Sequence, residues 1–234
     1  MAELTGDVLT PSTLTDTDRD RMFAIMEQVY DNTDRAQFEA DLAAKDEVIV
    51  LRDPNGCLGG FSTQRFLDLD IGGRVVRGVF SGDTVIAPEH WGGMVLFQTF
   101  ARRYIITRNE PWYWFLICKG QRTYRLLPTF FTDYWPSRHA PTPGEAARIM
   151  DAYAGALYPD DYDPATGVLA YRHPKDRLRP GIAGVDEMSV RNPDAAFFAA
   201  RNPGHELGHD LVCLTVLDPA NLRPQHRARL LGHP

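Results

Sequence analysis

The chain has 234 residues, 44% of them hydrophobic and 24% charged, enough for one large folded domain or one domain with a substantial extension. A formal net charge of −6 argues against a nucleic-acid scaffold, and no apolar stretch approaches the ~20 residues of a membrane span. The opening MAELTGDVLT lacks the charged and apolar regions of a signal peptide, and Cys57, Cys118 and Cys213 show no paired spacing, so a reducing, cytoplasmic compartment is expected.

In chain order, Thr15 to Tyr30 opens with Thr and Asp caps and places Met22, Ile25, Met26, Val29 and Tyr30 on one face at helical spacing. Thr33 to Ala44 puts Phe38 and Leu42 four apart and reads as a second, shorter helix. Glu47 to Leu51 is β-rich, Pro54-Asn55-Gly56 is a turn, Cys57 to Leu69 returns as a strand, and Gly72-Gly73 turns into a strand from Val75 to Ala87. That strand stops at Pro88, passes the turn Gly92-Gly93 and enters a helix from Met94 to Tyr104, whose first free N–H groups point at whatever lies beyond the strand. This is geometry suited to an anion. Pro111 to Cys118 (PWYWFLIC) is a continuous apolar run of strand length, as in a strand buried on both faces. A helix follows, expected to stop after Leu127 because of Pro128.

The order of elements over roughly the first 135 residues, with the strand, glycine turn and helix of Val75 to Tyr104 at its centre, resembles the GNAT acyltransferases. Trp91, Met94 and Leu96 stand where that family has Arg or Gln, Gly, and Gly or Ala in its pyrophosphate loop, so the resemblance is to a divergent member with a degenerate loop. It implies an α/β fold with a mixed, mostly antiparallel sheet and flanking helices, residues 1-136 forming the core. It also implies two splayed strands, Thr84 to Ala87 and Tyr113 to Cys118, with an acyl-pantetheine arm held in the gap. The implied activity is acyl transfer from acyl-CoA or acetyl-CoA, or from an acyl carrier protein, to the amine of a small molecule. The coenzyme would meet Val85, Ile86, Trp91, Gly92, Gly93, Met94 and Val95, with the N–H groups near Val85 and Ile86 holding the thioester oxygen. Asp83 or Glu89 would deprotonate the amine, and Tyr124 would protonate the departing thiolate. Arg102, Arg103, Arg108, Lys119, Arg122 and Arg125 gather around the same cleft, as phosphate partners or as solvated helix faces. No metal is expected, and a homodimer is compatible with the sequence. A noncatalytic GNAT-like binding protein is the alternative that would explain the altered loop.

Beyond Trp135 the chain changes character, and residues 137-234 are expected to form a C-terminal α/β extension packed on the core. Thr142-Pro143-Gly144-Glu145 reads as a capping box before a helix to about Tyr158. Gly167 to Tyr171 is a short strand, and Pro174 to Asp186 a glycine and proline segment, exposed or covering a site. Asn192-Pro193 starts a helix to Ala200, Leu211 to Leu217 is a strand, and Asp218-Pro219 starts the last helix. His205-Glu206-Leu207-Gly208-His209 is a literal H-E-x-x-H, the pattern of a zinc-dependent hydrolase. Pro203-Gly204 just before it and Gly208 within it argue against the continuous helix such a site needs.

Overall fold

The computed structural model describes residues 4–106, 112–172, 176–183 and 191–231. Strand β1 (Thr5–Leu9), which the sequence pattern did not reveal, precedes helix α1 (Asp16–Val29). The start of α1 is a capping box: the Thr15 hydroxyl accepts from the Asp18 N–H, and the Asp18 carboxylate accepts from the Thr15 N–H. A two-residue strand β2 (Tyr30–Asp31) leads to α2 (Arg35–Ala43), β3 (Glu47–Arg52), β4 (Leu58–Asp70) and β5 (Val75–Ile86).

Helix α3 is α-helical over Val95–Ala101 and then widens into π-helical turns at Arg102–Ile106. There the Tyr104 hydroxyl donates to the Glu47 carboxylate at 2.6 Å. Strand β6 (Trp112–Cys118) is followed by α4 (Gln121–Tyr124) and α5 (Leu126–Phe130). Pro128 does not end the helix as expected. The break falls at Arg125 instead, and Pro128 sits in the first turn of α5, where a missing N–H is tolerated. After β7 (Tyr134–Trp135) comes α6 (Gly144–Leu157), whose N-cap is Pro143 without a side-chain bond. The expected capping box is therefore not made, because Glu145 turns outward to Arg74 at 2.5 Å. Strands β8 (Tyr162–Asp163), β9 (Val168–Leu169) and β10 (Arg177–Leu178), the short α7 (Pro180–Ala183), α8 (Pro193–Arg201), β11 (Asp210–Leu217) and α9 (Pro224–Leu231) complete the described chain. Of the glycine and proline segment expected at 174–186, residues 176–183 are described, as β10 and α7, and the rest lies outside the described residues.

One mixed, mostly antiparallel sheet runs in the order β1-β3-β4-β5-β6-β11-β9-β8, with β7 also on β11, and β10 pairs β2 separately. Among the described residues its one parallel pair is β5 with β6. From residues 137-234, β11 pairs along all of β6, from Leu211 opposite Cys118 to Leu217 opposite Trp112. Helices α3, α5, α8 and α9 cover one face, burying Phe97, Phe100, Trp114, Phe130 and Phe198. The other face carries α1 and α2 over Val48, Val50, Phe61 and Val85, and separately α6 over Phe80, Phe115 and Val212. Between those two groups of helices a gap is left over the centre of the sheet.

Candidate functional site

The gap is deepened by the parallel pair itself. β5 and β6 are in register only from Gly78–Tyr113 to Ser81–Leu116, after which β5 runs on to Ile86 and β6 to Cys118 without pairing. A cavity of about 610 Å³ occupies this split and reaches both faces of the sheet. On the α3 side its wall is Leu96, Phe97, Phe100, Trp114 and Leu126. The other side is polar, with Tyr30, Tyr158 and Tyr171 facing Asp83, Asp176 and Asp210.

A β-bulge aims Asp83. Along the β4–β5 ladder Ser62 opposes Thr84 and Gln64 opposes Ser81, so Thr63 alone stands against both Gly82 and Asp83. A buried chain of hydrogen bonds fixes both ends of the bulge. Trp114 Nε1 donates to Ser81 Oγ at 2.9 Å, Ser81 Oγ donates to Gln64 Oε1 at 2.8 Å, and Gln64 Nε2 donates to Ser62 Oγ at 2.7 Å. Ser62 and Thr84 hydroxyls then meet at 2.7 Å. Gln64 is fully buried, so the amide serves as a rivet between the two serines.

At the floor, Lys119 Nζ lies 3.2 Å from Asp210 Oδ2 and 3.6 Å from Asp176 Oδ2. Tyr171 donates its hydroxyl to the same Asp210 oxygen at 2.6 Å. Burial opposes a charge on Lys119, but Asp210 and Asp176 outweigh it and hold the ammonium above its usual range. Burial, reinforced by nearby carboxylates, likewise keeps Tyr30, Tyr158 and Tyr171 protonated far above the ordinary phenol value.

Of the residues expected from sequence, Asp83 does line the cavity, and its charge acts on Tyr30, Tyr158 and Lys119. Glu89 does not: it is exposed on the turn Pro88–His90, 3.8 Å from Arg21. Tyr124 is also withdrawn. Its ring is fully buried against Tyr134, Phe197 and Phe198, and its hydroxyl donates to the Pro136 carbonyl at 2.9 Å. The short Lys119-Gly120 connection does start the helix at the end of β6, but the four-residue α4 turns its tyrosine toward α8 instead of the split.

Ala87 donates its N–H to Gly59 on β4, and two residues back Val85 shares that orientation opposite Phe61. Only Ile86 of the expected pair therefore presents its backbone to the split, and its carbonyl is already taken by Trp91 Nε1 at 2.7 Å. Trp91 in turn carries the Arg122 guanidinium 4.7 Å above its ring. The turn beyond it is open. Gly92 is left-handed at φ 86°, where L side chains are strained, and a Cβ would meet nothing within 4 Å at Gly92 and only the His90 carbonyl, at 3.6 Å, at Gly93. Met94 caps α3 and Val95 begins it, both packed against the core beneath, and the cavity wall begins one residue later at Leu96. The basic residues expected to ring the cleft are largely committed elsewhere: Arg103 pairs with Glu47, Arg125 bonds Gln121, Lys119 holds Asp210, and Arg108 lies outside the described residues.

The H-E-x-x-H segment is not helical in the way zinc requires. His205–Leu207 form a single 3-10 turn and Gly208 is left-handed, so the two histidines do not share a helix face. His205 is buried with Nδ1 at 2.9 Å from the Asn202 carbonyl, while the His209 ring lies against Gly204. Among the described residues no group of three or more His, Cys, Asp or Glu side chains could hold a metal ion. No described helix is long and apolar enough to cross a membrane.

No protein-family model matches the sequence, and no curated protein sequence matches it. Among solved structures, the chain is similar to a probable N-acyltransferase of unknown function from Enterococcus faecalis, with 12% identity, a TM-score of 0.42, and 56% of this chain and 33% of that one covered. It thus spans about a third of that protein's length. A GNAT family N-acetyltransferase from Escherichia coli in complex with CoA is similar at 13% identity and TM-score 0.40, covering 56% of this chain and 69% of that one. A GCN5-related N-acetyltransferase from Kribbella flavida is similar at 12% identity and TM-score 0.41, with 99% and 67% covered.

Proposed function

We propose that this chain is a GNAT-like acyltransferase, moving an acyl group from an acyl-CoA or carrier-protein thioester to the amine of a small molecule. The observation that carries the reading is the split between parallel β5 and β6, which opens through the sheet into a cavity apolar on one side and acidic on the other. An extended thioester arm fits such a split because unpaired strand edges offer it backbone hydrogen bonds. The acidic side suits an amine. Among the described residues, Asp34, Asp41, Asp83, Asp161, Asp176 and Asp210 line the cavity against only Lys45 and Lys119, so a cationic acceptor is drawn in and must then lose a proton to react.

Asp83, presented by the bulge, is the group to accept that proton. As the amine attacks, negative charge grows on the thioester oxygen, and the Ile86 N–H on the edge facing the split is placed to meet it, a contribution of about 3 kcal/mol per donor in sites of this kind. The open Gly92-Gly93 turn ahead of α3 is the place for the coenzyme's pyrophosphate, with Trp91, Met94 and Val95 at its edge. Binding there needs Trp91 to release the Ile86 carbonyl.

The test is a thermal-shift panel of acetyl- and longer acyl-CoA compounds followed by a thiol-release assay with small amines. A ligand at 100 times its dissociation constant adds about 2.7 kcal/mol to folding stability, which a melting curve resolves easily. A chain that no acyl-CoA stabilises, and that releases no thiol with any amine, does not have this function.

A further inference from the structure

We propose that Tyr30 is a hydrogen-bond donor of the catalytic site, its phenol reaching the atom on which negative charge develops as the thioester opens. The inference rests on the acyl-transfer reading and names a residue that reading does not use. Among the described residues three tyrosines line the cavity, and two are engaged. Tyr171 donates a hydrogen bond to Asp210, and Tyr158 already has a partner. Tyr30 lines the cavity, yet among the described residues no group accepts from its hydroxyl. Its hydroxyl therefore opens onto the same cavity as Asp83, Asp176 and Asp210, where it is available to a bound ligand.

Its backbone is held from two sides, which fixes where the side chain enters the cavity. The Tyr30 N–H bonds the Met26 carbonyl at the end of α1, and Tyr30 pairs with Leu178 in the β2–β10 ladder, where Arg179 N–H also bonds the Val29 carbonyl at 3.0 Å. Burial and the surrounding carboxylates hold the phenol above the ordinary tyrosine value, which favours a donor that keeps its proton. It acts by sharing it. In the step, Asp83 having passed the first proton of the ammonium to solvent, the neutral amine nitrogen forms a bond to the acyl carbon and its second proton passes to the Asp83 carboxylate. The C–S bond breaks with its electron pair going to sulfur, and Tyr30 donates a hydrogen bond to the oxygen or sulfur that carries the charge. The thiolate is then protonated from solvent or from Asp83, and Tyr30 ends the cycle unchanged.

Tyr30→Phe removes the hydroxyl and keeps the ring. With the acyl donor that the wild type uses, kcat should fall about 10²- to 10³-fold, as for loss of one preorganised donor, while the KM for donor and amine and the melting temperature stay close to wild type. An active wild type whose Tyr30→Phe variant keeps kcat within about threefold overturns the role of Tyr30 and leaves acyl transfer standing. A Tyr30→Phe variant that loses activity only through a raised KM shows a binding contact and overturns the role as well. A wild type inactive with every donor removes the function itself and this role with it.

Discussion

Replacing Gln64 by Leu is the most direct probe of how the site is held. The amide is fully buried and accepts from Ser81 Oγ at 2.8 Å while donating to Ser62 Oγ at 2.7 Å. Leucine fills nearly the same volume and makes neither bond. Two net hydrogen bonds at about 1 kcal/mol each are lost, and a buried serine proton left without an acceptor adds about 1–2 kcal/mol, so the variant should be about 3–4 kcal/mol less stable. For a chain of this size each kcal/mol moves the melting temperature by about 2–4 °C, giving a fall of about 5–15 °C by calorimetry. The bulge that presents Asp83 should loosen along with it, so activity should fall even at temperatures where the variant is folded. A variant melting within about 2 °C of wild type would refute the reasoning, because the serines would then have found other partners and the rivet would hold nothing.

Tyr124→Phe should leave turnover within about threefold of wild type and cost about 1 kcal/mol in stability through the orphaned Pro136 carbonyl; a loss of 10² or more in kcat would return the tyrosine to the reacting centre. Gly78→Ala should destabilise by about 1–3 kcal/mol in denaturant unfolding, since its Cβ would lie 2.8 Å from the Tyr113 carbonyl and 2.9 Å from the Tyr153 hydroxyl, and a neutral result would mean β5 and β6 can spread where they pair. Asp18 tests the start of α1: burial raises its carboxyl, but hydrogen bonds from Arg52 and Thr15 outweigh that and hold it below the usual carboxylate value. A depressed acid stabilises above its unfolded pKa of about 3.9 and loses that contribution as pH falls through the folded value, so the roughly 1 kcal/mol gap between wild type and Asp18→Asn at pH 7 should close below about pH 4. A gap independent of pH would show that the charge contributes nothing.

Where local patterns decide structure, the sequence was readable. The capped α1 with Met22, Ile25, Met26 and Val29 inward, the strands β3 to β6 and the asparagine-capped α8 lie within a few residues of where periodicity and turn chemistry put them. Strand β1 was not, because TGDVL alternates only between exposed and partly buried and offers no apolar contrast. The site was legible only in part. Asp83 could be named because the resemblance points to the end of the strand that carries it, but the chain that aims it depends on a register shift between β4 and β5, which no linear pattern encodes. Tyr124 was misplaced for a related reason: α4 makes a single turn, and the direction of one side chain on it is set by packing on Phe197 and Phe198, more than seventy residues downstream. Lys119, Tyr171, Asp176 and Asp210 come together through the pairing of β6 with β11, and nothing near any one of them announces the other three.

That pairing of β6 with β11 also sets a timetable. The apolar strand Trp112–Cys118 leaves the ribosome with one edge waiting for Asp210–Leu217, so roughly ninety residues must be made before it is covered. At about 5–20 residues per second this leaves the strand with an unpaired edge for about 5–20 seconds, rich in aromatic and β-forming residues and without a charge. Chains truncated before β11 should accordingly collect in aggregates instead of folding into a smaller catalytic unit, and the yield of native protein should depend on how well the cell shields that one strand during synthesis.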